Sequence, residues 1–187
     1  MTQQAFTGQV AKLLADDTAE NRGFGQTTDV SNDTVVVGAW GDSASGHSSG
    51  AAYVFARNED GADEWNQVTK LTAGDATQYA YFGYNVAISG DTIVVGAYGD
   101  NNYTGAAYVF ERNEDGTDTW GQVQKLTASG GAENDFFGRF VDISGDTIVV
   151  GAPMSDSTDG TAYIFERNEG GPDNWGQVTE LVPTTPP

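Results

Sequence analysis

The chain repeats itself, and the period of that repetition constrains its fold more than any local signal does. Phe137-Gly138 is followed 14 residues later by Gly151-Ala152-Pro153, and the same spacing separates Phe82-Gly83 from Gly96-Ala97 and Phe24-Gly25 from Gly38-Ala39. The copies are offset by 58 and then 55 residues. A unit of that length is a supersecondary motif that buries its apolar face only against a neighbouring copy.

Each unit reads as four short strands. A strand with the pattern Gln-Val-x-Lys-Leu starts at Gln67 and Gln122, and again at Gln177, where Glu180 replaces the lysine. A fourth copy starts at Gln9 and makes residues 8–15 an extra N-terminal edge strand. Its mixed polar and apolar character suits an edge with one wet side. The Phe-Gly segment alternates with period two, placing Phe82, Tyr84, Val86 and Ile88 on one face. A reversal follows at Ser89-Gly90-Asp91 or Ser31-Asn32-Asp33, of the kind that makes hairpins. The next strand, Thr92-Ile93-Val94-Val95-Gly96-Ala97, is apolar on both faces and belongs inside a sheet. Then comes Ala51-Ala52-Tyr53-Val54-Phe55 and its copies at Tyr108 and Tyr163; the first unit's three extra residues fall in the loop before it, around Ser45-Gly46-His47. A turn after Arg57, Arg112 and Arg167 leads to Trp65, Trp120 and Trp175, where the edge strand begins again. No helix is signalled. The pattern predicts an all-β propeller of four-stranded antiparallel blades, three per chain: blade 1 over 24–73, blade 2 over 82–128, blade 3 over 137–182, then a Pro/Thr linker at 183–187.

Composition bounds the partners. The 187 residues suffice for one well-buried domain, and 25 glycines against 5 prolines indicate many tight turns. With 27 acidic and 8 basic residues, the net charge of -19 repels phosphate backbones and anionic lipid, so nucleic acid and membranes are excluded as partners. The absence of cysteine removes thiolate chemistry and soft-metal sites. The sequence has no secretory signal and no apolar run of membrane-spanning length.

The Phe-Gly pairs, each followed by Gly38-Ala39, Gly96-Ala97 or the complete Gly151-Ala152-Pro153, resemble the FG-GAP repeats of the integrin alpha-chain propeller and its bacterial surface relatives. The resemblance covers residues 8–182 and implies a propeller, an extracellular or cell-surface setting, and a role in adhesion or ligand binding rather than catalysis. Two features depart from the family. The hairpin that holds a calcium loop in its metal-binding blades is here only Ser-Asn-Asp or Ser-Gly-Asp, too short for several converging oxygens. No calcium ligand carries over. And three blades do not close a ring, because propellers have about four to eight. Two copies placed head to tail give six, so a homodimer completing the ring is the expected assembly, with a fragment of a longer array as the alternative.

Candidate sites follow from side-chain chemistry. Trp40, Tyr79, Tyr81, Tyr98 and Tyr103 lie in loops near one end of the central strand, where aromatic rings make flat apolar platforms for a glycan or protein ligand. Packing over the blade end is the competing role. Asp60, Asp63, Asp115 and Asp118 sit in turns spaced loosely like a calcium loop, although Asn, Asp and Gly are equally what a turn requires. No other cofactor is expected. A Ser/His/Asp set exists in one loop (Asp42, Ser43, Ser45, His47), but a Gly/Ser-rich loop holds such a set poorly. Asp29 and Asp142 occupy matching places on two Phe-Gly strands and are the paired-carboxylate candidates; Ala87 stands there in the middle unit. No catalytic residue is assigned. The expected function is a non-enzymatic extracellular binding module; a structural repeat fragment without a ligand is the alternative, and a carbohydrate-active enzyme lacks its acid/base pair.

Overall fold

A computed structural model describes residues 11–17, 23–57, 64–113, 119–155 and 159–183. Among them, three four-stranded antiparallel sheets account for nearly all regular structure. The first holds β1 (Thr28–Ser31), β2 (Thr34–Ala39), β3 (Ala51–Arg57) and β4 (Trp65–Leu71). The second holds β5 (Asn85–Ser89), β6 (Thr92–Ala97), β7 (Ala106–Arg112) and β8 (Trp120–Leu126), and the third β9 (Phe140–Ser144), β10 (Thr147–Ala152), β11 (Thr161–Arg167) and β12 (Trp175–Leu181). Strand order within each sheet is chain order, as hairpin-connected strands give. The third and fourth strands of every sheet slip register at the same place, Val54/Phe55, Val109/Phe110 and Ile164/Phe165. The chain is all-β and built of three blades.

Three details differ from the sequence reading. Phe24-Gly25, Phe82-Gly83 and Phe137-Gly138 are tight turns rather than strand, because each glycine takes a positive φ (86°, 82° and 83°). The residue after it then bonds three residues back, as Tyr84 N–H does to the Tyr81 carbonyl at 3.0 Å. Residues 11–15, the described part of the expected edge strand at 8–15, form no strand; Leu13 and Ala15 pack instead on Tyr53 and Phe55 of blade 1. One helical turn, α1 (Asp100–Tyr103), was not signalled, and Asn101 and Asn102 within it have left-handed φ of 46° and 55°, a region asparagine tolerates.

The core lies between blades. Val36, Ala52, Val54 and Leu71 of blade 1 are buried against Phe82, Val86, Ile88, Tyr108 and Phe110 of blade 2. Val94, Ala107, Val109 and Leu126 repeat this against Phe137, Val141, Ile143, Tyr163 and Phe165 of blade 3. Each interface is also hydrogen-bonded from side chain to backbone. The N–H groups of Val86 and Ile88 on β5 and of Gly90 in the turn after it donate to Thr27 Oγ1, Asp29 Oδ2 and Ser31 Oγ (3.3, 2.8 and 3.0 Å). Val141 and Gly145 donate likewise to Asn85 Oδ1 and Ser89 Oγ (2.7 and 3.1 Å). Short polar side chains thus satisfy strand donors that no ladder reaches, as buried backbone requires. At the top of the interface the blades approach backbone to backbone, with parallel bridges Gly50 to Phe82 and Gly105 to Phe137.

Candidate functional site

The blade stack brings all five aromatic candidates together. Tyr81 is the hub: its ring is stacked on Tyr98 (centroids 5.1 Å, 17°) and lies 5.7 Å from Trp40, 6.4 Å from Tyr79 and 6.4 Å from Tyr103. Four further side chains extend the cluster. His47 lies 5.1 Å from Tyr79; Tyr84 meets Tyr98 edge-on at 4.5 Å; Phe136 packs edge-on against Tyr98 and Tyr103; and the Arg139 guanidinium lies over Tyr84, Tyr98 and Phe136 at 5.8, 5.6 and 5.7 Å. The result is a continuous aromatic belt contributed by the first two blades and by the linkers before the second and third, with one guanidinium at its blade 3 end.

The repeat explains how the belt forms. Gly23, Tyr81 and Phe136 precede the three Phe-Gly pairs; Gln26, Tyr84 and Arg139 follow them; Trp40, Tyr98 and Pro153 follow the Gly-Ala pairs. These three positions sit at the same strand ends in every blade, so substitutions there meet across the interfaces. The side chains missed at the sequence level, Tyr84, Phe136 and Arg139, were visible in those columns. The loops are also under backbone strain. Tyr79, Tyr81, Tyr103 and Phe136 hold φ of 60°, 55°, 63° and 59°, which costs an L-residue about 1–3 kcal/mol each. Bonds from Tyr79, Tyr81 and Phe82 N–H to the His47, Ser48 and Ser49 carbonyls (2.8, 3.1 and 3.0 Å) pin the first of these loops to the preceding blade.

The belt is wetted at its edge. Tyr79 is 46% exposed and His47 is exposed beside it, while the other rings are partly buried. Burial, then the neighbouring Tyr103 hydroxyl, pushes the Tyr81 phenol up to about 12. Burial likewise raises Tyr98. Both stay neutral hydrogen-bonding groups at physiological pH.

A second polar cluster stands at the outer side of blades 1 and 2. In blade 1, Lys70 Nζ bonds Asp17 and Asp42 (2.6 and 2.9 Å), and Tyr53 Oη donates to the same two carboxylates (2.7 and 3.0 Å). In blade 2, Lys125 joins Asp75 and Asp100 (2.6 and 2.8 Å) while Tyr108 Oη donates to Asp75 (2.8 Å). An open groove of about 540 Å³ lies beside this second set, lined in part by Asp75, Asp100 and Lys125. Both carboxylates are already engaged by Lys125, so the set reads as a clamp on the linker between blades rather than a ligand site. Blade 3 drops the charged members together, with Gly130, Ser155 and Glu180 at the places of Asp75, Asp100 and Lys125, and keeps Tyr163 at the place of Tyr108.

Burial alone would raise the Asp42 carboxyl, but the Ala44 N–H, Lys70 and Tyr53 outweigh it and hold Asp42 below the usual carboxylate range. A depressed folded-state value adds stability that is present above the unfolded value, near 3.9, and lost as the pH falls through the folded one. The stability difference between the native chain and Asp42→Asn is therefore full above about pH 5 and closes progressively below about pH 4. Denaturant titrations of both chains across that range check it; a difference that does not change with pH would contradict it.

Asp42 is fully buried and committed to Lys70 and Tyr53, while Ser43 Oγ is bound to its own loop, accepting from Ser48 N–H at 3.0 Å. Asp29 and Asp142 are on β1 and β9 with β5 between them, and Asp29 is held by Ile88 N–H. Asp60, Asp63, Asp115 and Asp118 lie outside the described residues. Among the described residues, no group of three or more His, Cys, Asp or Glu side chains is placed to hold a metal ion.

Comparison with family models matches the FG-GAP repeat at residues 7–55, 65–110 and 120–165. The chain belongs to the FG-GAP repeat family. The second and third matched segments begin one strand ahead of a blade: 65–110 takes β4 of the first sheet with β5, β6 and β7 of the second. The FG-GAP unit therefore straddles the interface, so consecutive units interlock. FG-GAP repeats are typically non-catalytic and typical of extracellular proteins. No described helix is long and apolar enough to cross a membrane. Comparison with curated proteins gives no match.

Proposed function

We propose that this FG-GAP chain is a non-enzymatic extracellular binding module, and that its aromatic belt takes a neutral carbohydrate. The observation that carries the reading is the belt itself: rings from the first two blades and from the linkers before the second and third form one surface, four of their residues at strained φ. Strain of that kind persists where the surrounding structure fixes a functional geometry. Stacked tyrosines offer flat apolar faces to the axial C–H face of a pyranose, and their hydroxyls offer partners for its equatorial hydroxyls. The net charge of -19 disfavours an anionic glycan, which leaves uncharged sugars as the matching class.

Calorimetric titration with chitohexaose and cellohexaose tests the reading. Binding to either is expected, and Tyr79→Ala, which removes the most exposed ring of the five aromatic candidates, is expected to weaken it about tenfold, near 1.4 kcal/mol, with an unchanged melting temperature. No heat with either sugar, or full binding by Tyr79→Ala, would count against the belt as the site.

A further inference from the structure

The two terminal faces of the stack are complementary in detail, and we infer that the outer face of blade 3 binds blade 1 of a second copy, reciprocally, so that two chains close one ring of six blades. The internal interfaces supply the template. Each is built from a fixed set of positions, and blade 3 presents the donor half of that set with no fourth blade among the described residues to receive it. Val149 is 36% exposed where its equivalents Val36 and Val94 are fully buried. On the opposite face, Val30 of blade 1 is 60% exposed where Ile88 and Ile143 are buried.

The polar groups match as well. Arg112 of blade 2 donates to Thr34 of blade 1 (2.6 Å), and Arg167 of blade 3 donates to Thr92 of blade 2 (2.9 Å) and pairs with Glu111. One step on, Arg57 of a second copy meets Thr147 and Glu166, both on strands of blade 3. Asp142 and Ser144 stand where Asp29 and Ser31 accept from the next inner strand; across the junction they accept from Val30 and Asn32 N–H. Gly151 adds an independent sign. At its equivalents, Gly38 and Gly96, a Cβ would collide with the carbonyl of Gly83 or Gly138 in the following blade, whereas at Gly151 the nearest atom is Phe140 Cβ at 3.4 Å. Within one chain nothing demands glycine there; a second copy's Gly25 carbonyl does.

One place has two claimants. Leu13 and Ala15 already occupy, on blade 1, the position that Leu71 and Ala73 take on blade 2. Leu13 keeps it, so Leu181 of the partner's β12 contributes nothing to the junction. A head-to-tail contact of this kind makes a ring when its rotation closes. One chain is too few blades, and three chains exceed the usual range of about four to eight.

Light scattering on the full chain at micromolar concentration tests this, with Arg57→Glu, Glu166→Arg, the double variant and Val149→Lys alongside. All three residues are at least partly exposed in the single chain, so the variants fold. The expected mass is twice 19.7 kDa for the native chain, one chain for each single variant, and two chains again for the double charge reversal. A native mass of one chain, a mass that grows beyond two with concentration, or single variants that stay paired would each overturn it.

Discussion

Gly138→Ala is expected to destabilise the chain by roughly 4 kcal/mol, while the same change at Gly25 costs about 1 kcal/mol. Both glycines close a Phe-Gly turn and both hold left-handed φ, 83° and 86°, so the conformational cost is shared. What differs is the neighbour. A Cβ on Gly138 would run into the Ala106 carbonyl of the preceding blade, and a Cβ on Gly25 meets nothing within 4 Å. Backbone does not retreat as a side chain does, so relieving the clash means parting Gly105 from Phe137 and opening the apolar interface beside it. Denaturant unfolding of both variants, made in the Arg57→Glu background to exclude association, gives the comparison. Equal losses would mean that close blade contact adds nothing to the strain of the turn.

Lys125→Glu should be nearly as severe, at about 3–5 kcal/mol, because it strands the buried Asp100 carboxylate and adds a third acid beside Tyr108. Blade 3 shows how the fold tolerates an acid at this place: Glu180 coexists with Ser155 and Gly130, the two partner aspartates having gone. The triple variant Lys125→Glu, Asp100→Ser, Asp75→Gly copies that arrangement into blade 2. Its stability is expected to recover by at least about 2 kcal/mol over the single variant, a non-additivity typical of residues in one network. A triple variant that is less stable than Lys125→Glu would show that the four groups do not act as a set.

The four-strand unit was legible because hairpin chemistry and hydrophobic period are local: Ser89-Gly90-Asp91 turns, and Ile93 to Ala97 is buried on both faces. Trp65, Trp120 and Trp175 likewise begin the last strand of each blade as their recurrence implied. What escaped were relations between blades. Asp75 reads as a linker residue until Tyr108 and Lys125, 33 and 50 positions away, are brought to it. Asp29 reads as a carboxylate candidate and Ser31 as part of a reversal, yet both, with Thr27, bond the next blade's N–H groups. The aromatic candidates were found one by one as loop residues; their union with Phe136 and Arg139 depends on the offset between blades, which no single repeat contains.

The belt's role is tested most directly by the indole signals. The chain has four tryptophans, and only Trp40 lies in the belt, where its Nε1–H donates to Gln26 and its ring meets Tyr81. Trp65, Trp120 and Trp175 lie under Arg57, Arg112 and Arg167 at the start of the last strands. In nitrogen-15 correlation spectra recorded during titration with chitohexaose or cellohexaose, the Trp40 indole signal is expected to move and saturate while the other three stay fixed. Movement of Trp65, Trp120 or Trp175 with Trp40 unchanged, or no movement at all at saturating sugar, would contradict carbohydrate recognition by the belt.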